Sequence, residues 1–139
     1  MSSRQFPSFL VKIYIGTSVR YSPEVGVEFA TECLWQFTGN GATTFAITKE
    51  VIRNEWNVSY PELAGCPLQI QCRVNIGIGP TPNYFTLMTI GDETSWRLVT
   101  RIARRRQPYI LELVVTPLTT IHDNDDDEFI PHESMVPLF

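Results

Sequence analysis

The sequence predicts an α+β fold: a single domain with a mainly antiparallel β-sheet and two helices packed on one face. Three observations carry this. First, Leu68, Ile70, Cys72, Val74, Ile76 and Ile78 alternate with Gln69, Gln71, Arg73, Asn75 and Gly77, the period-two pattern of a strand with one packed and one wet face. Second, helical signals gather in the first half of the chain and strand signals in the second. Third, 139 residues with 43% hydrophobic and 19% charged content, punctuated by ten prolines and eight glycines, suit one core rather than two.

The elements follow in chain order. Phe9, Val11, Ile13 and Ile15 alternate with Leu10, Lys12 and Tyr14 and stop at Gly16, a first strand. Ser22-Pro23 reads as a helix start, since the hydroxyl caps free N–H groups and proline at the first helical position forfeits no bond. Val25, Phe29, Cys33 and Phe37 then recur every four residues, which predicts an amphipathic helix from Pro23 to about Phe37, stopped by Gly39-Asn40-Gly41. A second, shorter helix is expected from Thr48, with Val51, Ile52 and Trp56 on one side.

Tyr60 to Pro67 is a connector into the Leu68–Ile78 strand, and Gly77, Gly79, Pro80, Pro82 and Asn83 form an exposed turn. Tyr84 to Ile90 pairs back antiparallel. Trp96 to Ile102 fits either a strand or a short helix, and the strand, with Trp96, Leu98 and Ile102 inward, is preferred. Tyr109, Leu111, Leu113 and Val115 alternate in a last strand that Pro117 ends.

Charge divides the chain. Residues 118–139 carry six acids and no Lys or Arg, leaving residues 1–117 at +2 within a net charge of −4. The expected organisation is a globular domain over 1–117 and an acidic tail over 118–139. Asp123, Asp125 and Asp127 resemble the start of a calcium loop. The match fails where Glu128 replaces the turn glycine and Ser134 the bidentate glutamate.

Catalysis finds little support. His122 and His132 both lie in the tail, and no phosphate loop, nucleophile elbow or zinc-binding helix motif occurs. The reading is a non-enzyme without cofactor or metal. Cys33, Cys66 and Cys72 lack metal or redox spacing and read as buried free thiols, which suits a reducing compartment. Neither a secretory signal nor a membrane-spanning run is expected.

Two stretches carry interaction signals. Arg97, Arg101, Arg104, Arg105 and Arg106 form a basic run suited to lipid headgroups or RNA phosphates, because guanidinium grips phosphate in a bidentate way. Its bland alternative is a solvated surface neutralised by the tail. Tyr60-Pro61-Glu62-Leu63 has the form Tyr-Pro-x-Leu, resembling the late motif by which enveloped viruses recruit a host ESCRT adaptor. The competing reading is a turn with Tyr60 and Leu63 in the core.

The strand Phe9 to Ile15, a polar turn through Arg20 and Ser22, a helix ending in Leu34-Trp35-Gln36-Phe37, a second helix around Phe45 to Trp56, a strand with Cys72-Arg73 and a closing strand Ile110 to Thr116 before an acidic stretch together resemble matrix proteins of negative-strand RNA viruses, of the rhabdovirus and bornavirus kind. The resemblance implies a virion protein in the host cytoplasm and under the viral envelope. Such a protein forms homo-oligomers, binds anionic membrane and the viral nucleocapsid or RNA, and drives budding. The chain departs from that family in lacking its basic, proline-rich N-terminal arm. A viral accessory protein that binds RNA or a host factor is the alternative.

Overall fold

In the computed structural model, residues 8–80, 82–105 and 108–118 are described. Seven strands form one sheet: β1 (Ser8–Ile15), β2 (Val19–Ser22), β3 (Gly26–Phe29), β4 (Trp35–Asn40), β5 (Leu68–Asn75), β6 (Phe85–Thr89) and β7 (Ile110–Pro117). The helices are α1 (Phe45–Ser59) and α2 (Glu93–Arg104). The fold is therefore α+β. The sheet order is β2-β3-β6-β5-β7-β1-β4, which puts the alternating strand β5 at its centre.

The sheet is mixed. β1–β4, β2–β3, β5–β6 and β5–β7 pair antiparallel, whereas β1–β7 and β3–β6 pair parallel. Alternation reports which face a residue occupies and is silent on strand direction, so the parallel pairing of the first and last strands was not readable from periodicity. The β3–β6 contact is a single bridge, Gly26 to Phe85, supported by the Phe85 N–H donating to the Val25 carbonyl at 2.8 Å. Gly26 is at φ 77°, and a Cβ there would run into the Phe85 carbonyl, so the bridge requires glycine.

The core joins alternate residues of the central strands to both helices. Val11 and Ile13 of β1, Leu68, Ile70, Cys72 and Val74 of β5, and Leu111, Leu113 and Val115 of β7 are buried in one cluster with Ile52 and Trp56 of α1 and Trp96 and Val99 of α2. The strict in-out alternation of β5 holds from Leu68 to Asn75. Ile76 and Ile78 are exposed instead. Asn75 ends the strand because its Oδ1 accepts from the Gly77 and Tyr84 N–H groups at 2.9 and 3.2 Å, a local bond that competes with the ladder.

Two expected elements are different in the structure. Pro23 to Phe37 is not a helix but part of β3, a bend and β4. Ser22 does capture backbone N–H groups, those of Glu24 and Val25 at 3.1 and 3.3 Å, yet this closes a turn between β2 and β3. The four-residue recurrence of Val25, Phe29, Cys33 and Phe37 is common to periods of 3.6 and of two, and the apolar Val27 and Trp35 between them fit only the latter. The helix that the matrix-protein resemblance places over Leu34 to Phe37 is thus strand β4 over most of its length. Conversely, Trp96 to Ile102 is helical, and Leu98 is exposed rather than inward. The second predicted helix exists and begins earlier, at Phe45, where the Thr44 hydroxyl accepts from the Ile47 N–H at 3.2 Å.

Candidate anion-binding groove along the arginine helix

Helix α2 starts where Asp92 and Ser95 cap each other. Asp92 Oδ1 accepts from the Ser95 N–H at 2.9 Å, and Ser95 Oγ accepts from the Asp92 N–H at 3.2 Å. Two of the free backbone N–H groups at the helix start are thereby satisfied. These bonds, the Ser95 N–H first, hold the Asp92 carboxyl below its ordinary value. Trp96 and Val99 are buried, with Ile102 and Ala103 packed beside them, so a three-to-four-residue stripe faces the core. Trp96 Nε1 donates to the Thr43 carbonyl at 3.0 Å and pins the helix to the loop before α1.

The same geometry turns Arg97, Arg101 and Arg104 outward at positions i, i+4 and i+7, along one side of α2. All three are exposed, as is Arg105 at the helix end. Arg101 and Arg104 sit in the last turn, where cations complement the helix dipole. Arg106 lies outside the described residues. Arg97, Arg101 and Arg104 border a groove of about 460 Å3 whose far side includes Asn40, Thr43 and Thr44. Arg104 also reaches an adjoining cleft of about 540 Å3 beside Thr38 and Pro108.

One carboxylate belongs to the groove, and it is engaged. Glu93 Oε1 accepts from the Phe45 N–H at 2.9 Å, at the start of α1. Its Oε2 lies 3.6 Å from Arg97 Nε in an exposed pair, which contributes little in water. Tyr109 closes the groove floor: its hydroxyl donates to the Thr100 carbonyl at 3.2 Å and its ring packs 4.8 Å from Phe9. Burial raises the Tyr109 pKa. A row of guanidinium groups with one tethered carboxylate suits phosphate or another oxyanion. Among the described residues, no group of three or more His, Cys, Asp or Glu is placed to hold a metal ion.

The Tyr-Pro-x-Leu segment sits elsewhere, at the end of α1. Tyr60 and Leu63 are half-buried against the core, with the Tyr60 ring 4.4 Å from Trp56 and the Leu63 carbonyl accepting from Trp56 Nε1 at 3.2 Å. Pro61 and Glu62 are exposed in a single 3-10 turn. None of its four residues lines either of the clefts that the α2 arginines border. No helix among the described residues is long and apolar enough to cross a membrane.

A second polar cluster was missed by sequence reasoning, which expected Arg73 on a wet surface. Arg73 is largely buried: Nη1 contacts Glu112 Oε1 at 2.7 Å, and Nε donates to the Val27 carbonyl at 2.7 Å. Its guanidinium lies 3.6 Å from the Phe85 ring centroid and 5.4 Å from that of Phe29, which stacks on Tyr14 at 3.6 Å. Burial pushes the Tyr14 hydroxyl up to about 12. The available signal was an Arg and a Glu at the polar positions of two alternating strands. Every group of Arg73 with a described partner is used within the fold, so this cluster ties β3, β5, β6 and β7 together. The three cysteines are free. Cys72 is buried, with its thiol pushed up to about 12 by desolvation, while Cys33 and Cys66 are only half-buried.

Comparison with protein-family models, characterised proteins and solved structures finds no match to this chain. The functional reading therefore rests on the residues themselves.

Proposed function

We propose that this chain is a non-enzymatic, matrix-like structural protein of a virus. In this reading it self-associates and bridges an anionic membrane and a ribonucleoprotein at the inner face of the envelope in the host cytoplasm. The observation that carries the reading is the line of Arg97, Arg101 and Arg104 along α2, continued by Arg105. With both helices on one face of a mainly antiparallel sheet, α2 would be held rigid against β5 and β7, its arginines presented together. The globular unit would close at Pro117; the expected acidic tail lies, from residue 119 on, outside the described residues.

Lipid phosphate is favoured over RNA bases, because Tyr109 is committed to Phe9 and Thr100 and, among the described residues, no exposed aromatic row accompanies the arginines. Each basic residue near an anionic surface contributes about 1 kcal/mol. Replacing Arg97, Arg101 and Arg104 by alanine should therefore weaken binding to phosphatidylserine vesicles roughly hundredfold. Neutral phosphatidylcholine vesicles should bind neither protein. Salt-sensitive RNA binding with no vesicle binding would favour the accessory-protein reading instead.

A further inference from the structure

From strand β4 we infer that two copies of the protein pair antiparallel, edge to edge, about a twofold axis through Phe37. β4 is a free edge of the sheet. Which backbone groups it displays follows from the register. The Leu10 N–H donates to the Tyr109 carbonyl, so the even residues of β1 face β7 and the odd ones face β4. Phe9, Val11 and Ile13 are opposite Gly39, Phe37 and Trp35. Gly39 and Phe37 consequently spend their backbone groups on β1, and at the Trp35 end the Leu34 N–H donates to the Ile13 carbonyl at 2.7 Å, leaving the N–H and C=O of Gln36 and Thr38 directed outward. Both residues are exposed, and Asn40, the next outward residue, is already closed by bonds with Thr43.

The two sheet edges differ in protection. β2 has four residues, carries the exposed Arg20 and is followed by Pro23, features that discourage strand addition. β4 has six residues, Trp35-Gln36-Phe37-Thr38-Gly39-Asn40, with neither charge nor proline.

A second copy fits this edge because the strand complements itself. With the axis at Phe37, Gln36 pairs with Thr38 of the second copy and Thr38 with its Gln36, giving four backbone hydrogen bonds. The two Phe37 rings meet at the closely spaced central pair. Trp35 then faces Gly39 of the second copy, the position where the Phe9 ring already covers the backbone, 2.6 Å from where a Cβ would stand. No like charges oppose. The contact is isologous and closes as a dimer, while the guarded β2 edge stops the sheet from extending into a fibre.

The pairing gives the self-association of the proposed function a surface, yet its test needs no lipid. The interface is small, so the dimer is reversible and concentration-dependent. In sedimentation velocity across a dilution series, wild type should shift from monomer to dimer. Thr38→Pro removes an outward N–H without touching the β1 ladder, and Thr38→Lys places a charge at the edge; each should weaken association about tenfold or more. The triple arginine variant should dimerise as wild type does. In a Cys33→Ser, Cys66→Ser background, Phe37→Cys should form an interchain disulfide on oxidation and Gln36→Cys should not. A wild type that stays monomeric, edge variants that dimerise unchanged, or equal cross-linking at positions 36 and 37 would each overturn the inference. Loss of vesicle binding with an intact dimer would fault the membrane reading alone.

Discussion

Replacing Arg73 by methionine removes the cation that joins four strands on the polar face of the sheet. The side chains of Arg73 and Glu112 are only 15% and 25% exposed, so solvent screens the pair incompletely. Breaking a buried pair from one side costs about 3–5 kcal/mol. The residual exposure argues for the lower end, and methionine refills much of the stem against Phe85, so Arg73→Met should destabilise the fold by about 3 kcal/mol. Glu112→Leu should cost about 2 kcal/mol, because Arg73 keeps the Val27 carbonyl and the Phe85 ring. The double variant leaves no buried charge unpaired and should cost about 2 kcal/mol rather than the roughly 5 kcal/mol of simple addition. Urea unfolding followed by tryptophan fluorescence reads these differences, and thermal melts should show Arg73→Met lower by about 10 °C. Additive single effects, or a cost for Arg73→Met below about 1 kcal/mol, would refute the assignment of Arg73 as a structural tie.

Three further outcomes are expected. The Asp92 cap holds its carboxyl below 3.8, so its stabilisation of α2 is present above about pH 4 and is lost as pH falls through the lower folded value. Asp92→Asn should keep the cap and abolish this acid dependence, whereas Asp92→Ala loses both, as thermal melts between neutral and acid pH would show. In native protein, Cys33 and Cys66 should react with a thiol reagent and Cys72 only on unfolding, since its thiol is buried and held at about 12; three equally fast thiols would contradict this. Gly26→Ala should lower stability by more than about 1 kcal/mol, because a positive φ and the Phe85 carbonyl both oppose a Cβ, and a neutral effect in urea titration would remove the β3–β6 bridge from the account.

What the sequence made legible divides along physical lines. Strict alternation located β5, and a looser alternation, with apolar Leu10, Tyr14, Ile110 and Val114 at the intervening positions, located β1 and β7. Spacing by four does not discriminate: over Pro23 to Phe37 it predicts a helix, whereas the intervening Val27 and Trp35 point to strands. The opposite error at Trp96 to Ile102 had a similar remedy. Asp92 and Ser95 form a cap three residues apart, and the arginines at 97, 101 and 104 share one side only in a helix. The arginine run was thus visible as composition, while its alignment along a groove required the correct element. The Arg73 tie was not legible, because partners on separate strands are joined by a register that the sequence does not state.

The central claim is that a specific arginine face, rather than net charge, meets phosphate. Co-sedimentation with phosphatidylserine vesicles tests it when the Arg97, Arg101 and Arg104 alanine variant is set against a charge-matched variant with Lys12, Arg20 and Lys49 changed to alanine. The account predicts that the helix variant loses binding roughly hundredfold and that the charge-matched variant binds nearly as wild type does. Equal losses in the two variants, or no binding by wild type, would contradict it.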